Sequence, residues 1–175
     1  MDPREKQELL ESLESGRETL LATLDGLSEY LAAQVPEPGR WSVRECVEHL
    51  FLVEDYLFAQ VTSSKPSEAP VGSRARENSI RKRGADRSNR IEAPEVARPT
   101  GRFPTLAEAL AAFLARRTDT IQYVQALTHD PRARTAHHPL LGPANCHEIL
   151  LIIAIHPHRH VQQIREIHGV VSATR

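Results

Sequence analysis

Three histidines give the clearest indication of chemistry in this sequence. His156 and His160 are four residues apart, so on a helix their imidazole rings would lie one above the other on the same face. His49 could approach them from a second predicted helix. Three imidazoles could bind one divalent metal ion and leave a coordination position open, which is typical of a catalytic rather than a structural zinc site. Neutral imidazole also suits nickel, copper and iron.

The same residues allow an ordinary explanation. A histidine on the apolar face of a helix is usually a buried side chain bonded to a neighbour. Pairs four residues apart also arise by chance in a chain with nine histidines. The residues alone therefore leave open a metal centre or a plain helical domain.

Other side chains could take part in such a site. Gln163, one turn after His160, could form a hydrogen bond to a metal-binding ring. Cys46, one turn before His49, could be a fourth ligand, but a buried core position is the more common role of such a cysteine. Cys146 lies at a predicted helix start, where the pKa of a thiol can fall.

The remaining histidines have less defined roles. His158 is predicted to face solvent, because it lies about 160° from His160 around the helix. Histidines in loops and at helix starts are usually exposed, although three of them could supply a base beside a substrate: His137, His138 and His147.

Apolar residues recur at helical spacing in four segments. The first helix is predicted to begin near Pro3 and to end at Asp25 and Gly26, with a short turn following over residues 28–32. The second begins at a capping box formed by Ser42 and Glu45, with Trp41 placed to pack onto Cys46. Its apolar stripe has His49 on the same side, so this ring is predicted to point towards the core.

The third and fourth helices begin at similar signals. The third starts at a capping box of Thr105 and Glu108 and ends before Pro131; the fourth starts at a cap on Asn145 and runs to Gly169. Residues 149–155 are apolar on every side, which predicts burial within a bundle or across a subunit interface. Within this helix Pro157 removes one backbone hydrogen bond and predicts a kink.

The four helices, with no strand pattern, predict an all-α fold: an antiparallel four-helix bundle that forms a single domain over residues 1–175. The connection between the second and third helices, residues 63–104, is long and rich in arginine and proline. It holds ten Lys or Arg, five Asp or Glu and five prolines, including Pro70. Residues 74–90 could form a short helix, and a connection of this length should be functional, partly helical or mobile.

The composition disfavours several classes of function. A formal net charge of −1 indicates neither nucleic acid nor an anionic membrane as a partner. Aromatic residues make up 5%, which is few for stacking on bases. The longest apolar run, residues 149–155, is too short to cross a membrane, and the N-terminal residues lack the apolar stretch of a signal peptide. Two cysteines do not make a disulfide framework, so a cytoplasmic location is expected.

The sequence resembles the DinB/YfiT-like superfamily in several places, which together span about residues 10–168. Residues 38–50 read PGRWSVRECVEHL, similar to the family pattern PGxWSxxExxxHL, and residues 98–105 read RPTGRFPT, similar to the stretch before its third helix. Residues 138–142 and 156–164 read HPLLG and HPHRHVQQI, similar to its C-terminal pattern.

The resemblance implies a four-helix bundle that often forms homodimers. It also implies a three-histidine metal site at the positions of His49, His156 and His160, binding zinc or nickel. Some members act as hydrolases or thiol-dependent S-transferases, and many have no known activity. The arginine-rich residues 63–97 depart from the family pattern, so details of the family's substrate pocket do not carry over to this chain.

Two functions follow as hypotheses. The first is a metal-dependent hydrolase or thiol S-transferase, in which the ion activates water or a low-molecular-weight thiol towards a small-molecule substrate. The second is a non-catalytic metal- or ligand-binding module that acts through dimerisation. Glu48 and Glu54 are predicted to lie away from the His49 face, so no acid or base near the ligands is evident. Nucleic-acid binding through the arginines of residues 74–102 is disfavoured, because most charge runs are solvated surface.

Overall fold

Six helices and a small three-stranded sheet make up the described part of the chain, residues 1–68, 71–88 and 91–173 of a computed structural model. The helices are α1 (Pro3–Leu24), α2 (Glu29–Ala33), α3 (Val43–Thr62), α4 (Arg74–Arg83), α5 (Leu106–Ala126) and α6 (Cys146–Ala173). The strands are β1 (Lys65–Pro66), β2 (Arg134–His138) and β3 (Gly142–Asn145), and short 3₁₀ turns occupy Glu95–Ala97 and Pro131–Ala133. None of the helices in these residues combines the length and apolarity that crossing a membrane requires.

The predicted starts of α3 and α6 are confirmed by their hydrogen bonds. In α3 the Glu45 carboxylate accepts from the Ser42 backbone at 2.7 Å, and the Ser42 hydroxyl accepts from the Glu45 N–H at 3.2 Å. Asn145 and Glu148 form the same reciprocal pair before α6, at 2.9 and 3.3 Å. Side chains thus satisfy N–H groups that have no partner within the helix.

The start of α5 is also as predicted, but a second helix completes its cap. The Thr105 hydroxyl accepts from the Glu108 N–H at 3.2 Å. The next two free N–H groups, those of Leu106 and Ala107, donate to the carboxylate of Glu29 at 2.7 and 3.0 Å. The short helix α2 therefore holds the start of α5 in place.

The helix ends agree less well with the sequence predictions. Helix α1 ends at Leu24 and is followed by Gly26 with φ of 71°, as predicted. Helix α6 continues beyond Gly169 to Ala173, because Val171 is buried among apolar residues and packing outweighs the weak helix propensity of glycine.

Helix α4 covers only Arg74–Arg83 of the predicted residues 74–90. Gly84 lies against α6, where a Cβ atom would be 2.8 Å from the Ile155 side chain, and its N–H ends the helix on the Ile80 carbonyl. Arg90, the last residue of that predicted helix, and Pro70 both lie outside the described residues.

The prediction of an all-α fold without strands is wrong, because the structure also contains a three-stranded sheet. Strand β2 pairs antiparallel with β3 and with β1, and a tight turn joins β2 to β3. At this turn Nδ1 of His138 accepts the N–H groups of Leu140 and Leu141, both at 3.2 Å, and Gly142 has φ of 69°. Such short strands carry no readable alternation, and β1 finds its partner about 70 residues away, so the pairing is not visible locally.

The long helices α1, α3, α5 and α6 pack together around two apolar clusters. Residues 149–155 run through the centre, and six of the seven are buried within the single chain. Their burial is thus accounted for without a second subunit. The two clusters meet in the middle of the bundle, where a charged residue takes the place of apolar packing.

That residue is Arg117 on α5, which is 0% exposed and donates hydrogen bonds to each of the other three long helices. Its Nε and Nη2 atoms donate to the Glu54 carboxylate at 2.9 and 2.7 Å. Nη1 donates to the Leu13 carbonyl at 2.8 Å, and Nη2 also donates to the Ile153 carbonyl at 3.1 Å. The Thr120 hydroxyl completes the network by donating to Glu54 at 2.8 Å. Burial raises the pKa of Glu54, and the guanidinium opposes this shift.

Pro157 explains why the Ile153 carbonyl is available. Proline has no N–H, so the carbonyl four residues earlier in α6 lacks its usual helical donor. Arg117 supplies the missing donor. Helix α6 therefore tolerates Pro157, because Arg117 on α5 provides the replacement hydrogen bond. This bond holds α6 one turn before His156.

We expect Arg117→Ala to lower the free energy of unfolding by about 3–5 kcal/mol, because the Glu54 carboxylate would remain buried without its partner. Urea unfolding followed by circular dichroism measures this change. The double variant Glu54→Leu/Arg117→Met should lose less, since it leaves no buried charge. A single variant within about 1 kcal/mol of the unaltered protein would contradict a network of this importance.

Candidate metal centre

The structure brings together the three histidines selected from the sequence. His49 on α3 and His156 and His160 on α6 each offer a ring nitrogen, and these atoms all lie within 4.8 Å of one another. The ring centroids of the three pairs are 4.5 to 5.2 Å apart. His49 and His160 are buried, whereas His156 is half-buried.

Two helices position these rings. On α3, His49 lies beside Cys46 and Leu50, which are buried on the same side of the helix. On α6, His156 and His160 follow one turn apart after the stretch that Arg117 holds in place. The convergence therefore depends on the packing of α3 against α6.

Hydrogen bonds at Nδ1 orient two of the rings. Nδ1 of His49 donates to the Ala97 carbonyl at 2.6 Å. Nδ1 of His160 faces the amide oxygen of Gln163 at 3.0 Å, so Gln163 contacts the ring for which the sequence selected it. With the proton on Nδ1, the Nε2 atoms of both rings offer lone pairs.

Nε2 of His156 and Nε2 of His160 are 2.8 Å apart and share one hydrogen bond. Because the proton of His160 is on Nδ1, His156 is the donor. Two nitrogens bound to one tetrahedral ion would be about 3.3 Å apart, given metal–nitrogen bonds of about 2.0–2.1 Å. The rings thus stand close to the separation that shared coordination requires.

The three imidazoles are neutral near pH 7. Burial lowers the pKa of His49 to about 4, against the smaller opposing effect of its bond to Ala97. The pKa values of His156 and His160 lie well below the usual value, chiefly through burial and also through the neighbouring imidazole. Neutral imidazole nitrogens are good ligands for zinc and nickel, so the three rings fit an ion of this class.

No thiol or carboxylate joins the three-histidine cluster among the described residues. Cys46 is completely buried in the apolar core, which raises the pKa of its thiol far above the usual range. Glu48 is buried as well, but it accepts the N–H groups of Thr100 and Arg102 at 2.8 and 3.2 Å. The Glu54 carboxylate accepts hydrogen bonds from Arg117.

The other histidines are arranged differently from the sequence predictions. His137 is exposed as expected, but His138 is buried in the turn after β2, and His147 is completely buried at the start of α6. His158 is half-buried rather than solvent-facing. Cys146 is buried, which raises the pKa of its thiol instead of lowering it. His138, His147 and His158 are thus covered by tertiary packing at positions that look exposed in the local sequence.

Sequence reasoning missed three neighbours of the cluster. The Ala97 carbonyl is a backbone group, and no residue type marks it. Arg87 donates to Gln163 at 2.9 Å, but in the sequence it is one of many arginines. Trp41 was selected only as a helix-start residue, yet its ring centroid is 4.8 Å from that of His49. Two of these three come from the segment between α3 and α5.

Comparisons with known proteins identify the family. The sequence model of the DinB superfamily matches residues 12–164. The chain is similar to the uncharacterized protein YuaE of Bacillus subtilis (strain 168), with 24% identity over 144 residues that cover 82% of this chain and 87% of YuaE.

Two solved structures share the fold. TT2238, described as a four-helix bundle protein, superposes with a TM-score of 0.60 at 22% identity, covering 92% of this chain and 98% of its own. YfiT from Bacillus subtilis, described as a probable metal-dependent hydrolase with an unusual four-helix bundle topology, superposes with a TM-score of 0.60 at 18% identity, covering 95% and 87%.

The buried neutral histidines predict that acid destabilises the protein. The pKa values of His49, His138 and His147 are each lowered to about 4, chiefly by burial. The unfolded chain therefore takes up protons first as the pH falls from about 6.5 to 4, at up to ~1.4 kcal/mol of lost stability per pH unit for each group.

His147→Leu should reduce this slope by about one such contribution, since His147 is not one of the three clustered rings and neither of its ring nitrogens has a hydrogen bond. Urea unfolding at several pH values measures the slope. Leu151→Met, a core change in the same helix that removes no titratable group, is the control. An unchanged slope in His147→Leu would contradict the burial of a neutral ring.

Proposed function

The chain belongs to the DinB superfamily, and we propose that it is a metal-dependent enzyme whose divalent ion is held by His49, His156 and His160. The convergence of three neutral ring nitrogens within 4.8 Å carries this proposal. The similarity to YfiT, itself described as a probable metal-dependent hydrolase, supports it. Zinc and nickel are both ions that three imidazoles suit.

A bound ion of this class would act as a Lewis acid and lower the pKa of a water molecule or a thiol at its open position. The reaction classes that fit are hydrolysis and transfer of a low-molecular-weight thiol. The chain holds the three rings in their neutral forms and orients two of them through Nδ1. The half-buried His156 marks the side from which a small-molecule substrate would approach.

The protein core closes the opposite side. His156 and Pro157 line a narrow crevice whose other walls are apolar apart from the Glu54 carboxylate, which Arg117 binds; the apolar residues are Leu50, Val53, Phe113 and Ile153. These mostly apolar walls would keep bulk water away from the inner side of His156 and so strengthen electrostatic interactions there.

One observation favours a second function, a metal-binding module without catalysis. No carboxylate is among the described hydrogen-bond partners of the three rings, and the nearby buried Glu48 and Glu54 are engaged elsewhere. In that case the metal would organise the bundle, and the protein would act through a partner such as a second copy of itself. The homodimer and the cytoplasmic location stay predictions in either case.

Metal analysis tests the proposal directly. Protein purified without chelators or a histidine tag should carry about one zinc or nickel ion per chain. His49→Ala and His160→Ala should lose the ion, whereas His137→Ala, which removes an exposed histidine, should keep it. Stoichiometric metal in a His49→Ala/His156→Ala double variant would exclude this site.

Trp41 offers an optical test of the same site. It is the single tryptophan of the chain and lies 4.8 Å from His49, so Ni²⁺ or Cu²⁺ bound there should quench its fluorescence. Quenching should saturate at one equivalent and disappear in His156→Ala/His160→Ala. Quenching that persists in that variant would place the ion elsewhere.

Turnover separates the enzyme from the module. The metal-loaded protein should hydrolyse an activated ester, or transfer a low-molecular-weight thiol to an electrophile, and His49→Ala should do neither. Stoichiometric metal together with no turnover of either class would favour the module.

A further inference from the structure

We propose that Arg87 is a positioning residue of this metal centre, which fixes the proton of His160 on Nδ1 by fixing the amide orientation of Gln163. The inference rests on the proposed metal site, and it assigns a role to the arginine-rich segment that the family resemblance leaves without one.

One oxygen atom joins the three residues. The Nη1 atom of Arg87 donates to Oε1 of Gln163 at 2.9 Å, and the same Oε1 is 3.0 Å from Nδ1 of His160. Arg87 is itself held by Glu166, whose two carboxylate oxygens accept from Nη2 at 2.9 Å and from Nε at 3.4 Å. The Arg87 side chain is only 19% exposed, and its contact with Gln163 is partly buried, whereas its contacts with Glu166 are exposed.

Arg87 determines which end of the Gln163 amide faces His160. A glutamine amide can present either its oxygen or its NH₂ group to a neighbour, and the two orientations have the same shape. A guanidinium has donors and no acceptor. Beside Arg87, the atom of Gln163 that faces the guanidinium must therefore be the oxygen.

The consequence reaches the ring. An oxygen at 3.0 Å from Nδ1 of His160 requires a proton on Nδ1, which leaves the lone pair on Nε2. If the amide turned over, its NH₂ group would require Nδ1 to accept, and the ring proton would move to Nε2. That tautomer cannot bind a metal through Nε2. Arg87 thus selects the ligand form of His160 without touching the ring.

If Arg87 acted only as a surface charge, its removal would affect metal binding differently. The pair of Arg87 with Glu166, whose side chain is 59% exposed, would then be an ordinary surface ion pair of little consequence. Removing a cation near the site would, if anything, strengthen the binding of a divalent ion by reducing repulsion. Positioning predicts weaker binding, so the sign of the change distinguishes the two roles.

The tautomer can be measured without any metal. Two-bond ¹H–¹⁵N spectra of the imidazoles in metal-free protein should show His160 with its proton on Nδ1. In Arg87→Ala a substantial fraction of the proton should move to Nε2. Arg83→Ala, which removes an exposed cation at the end of α4, is the matched control and should leave the spectrum unchanged. Circular dichroism confirms that each variant is folded.

Metal affinity supplies the second readout. We expect Arg87→Ala to weaken Ni²⁺ or Zn²⁺ binding about tenfold, the lower end of the loss seen when a partner of a ligand histidine is removed. In a Gln163→Glu background both side-chain oxygens are acceptors, so Arg87→Ala should there cause little further loss.

The outcomes are separable. An unchanged tautomer in Arg87→Ala, or affinity that is unchanged or higher, would overturn the role of Arg87. An equal loss in the Gln163 and Gln163→Glu backgrounds would also overturn it, because the effect would then not pass through the amide. Failure of the unaltered protein to bind metal would refute the proposed function, whereas the tautomer measurement would still decide the assignment of Arg87.

Discussion

The fold depends on one buried cation. Arg117 lies where α1, α3, α5 and α6 meet, and a guanidinium without exposure to water needs an acceptor for its donors from the protein. The Glu54 carboxylate and the carbonyls of Leu13 and Ile153 supply them. Because each acceptor belongs to a different helix, the requirement fixes the mutual positions of all four.

The same requirement links the core to the metal centre. Because Pro157 has no N–H, the Ile153 carbonyl lacks its usual helical donor, and Arg117 donates to it instead. Arg117 and Pro157 therefore both act on α6 close to His156: Arg117 binds it at Ile153, and Pro157 directly follows His156. Pro157 removes one hydrogen bond from α6, but the bond from Arg117 that replaces it helps to hold the helix that carries His156.

Local signals in the sequence predicted the parts of the structure that depend on local chemistry. The caps at Ser42, Thr105 and Asn145 form as expected, because the groups involved are three residues apart. The inward direction of His49 followed from helical periodicity. The strands, the burial of His147 and the Ala97 carbonyl at His49 were not predicted, since they depend on segments far apart in the chain. Arg87 was unremarkable in sequence because most arginines of a charged segment face water.

The hydrogen bond between His156 and His160 has a consequence for how an ion would be taken up. All three rings are already neutral at pH 7, so no ring would have to give up a net proton to bind an ion; the shared hydrogen of His156 would instead have to move from Nε2 to its own Nδ1. Protonation of the ligands would therefore add little pH dependence to metal binding between neutral pH and the onset of ring protonation, and a proton released on binding would come from a water molecule acidified by the ion. A centre built from cysteines, which must each give up a proton, would instead bind more weakly with every step towards acidity.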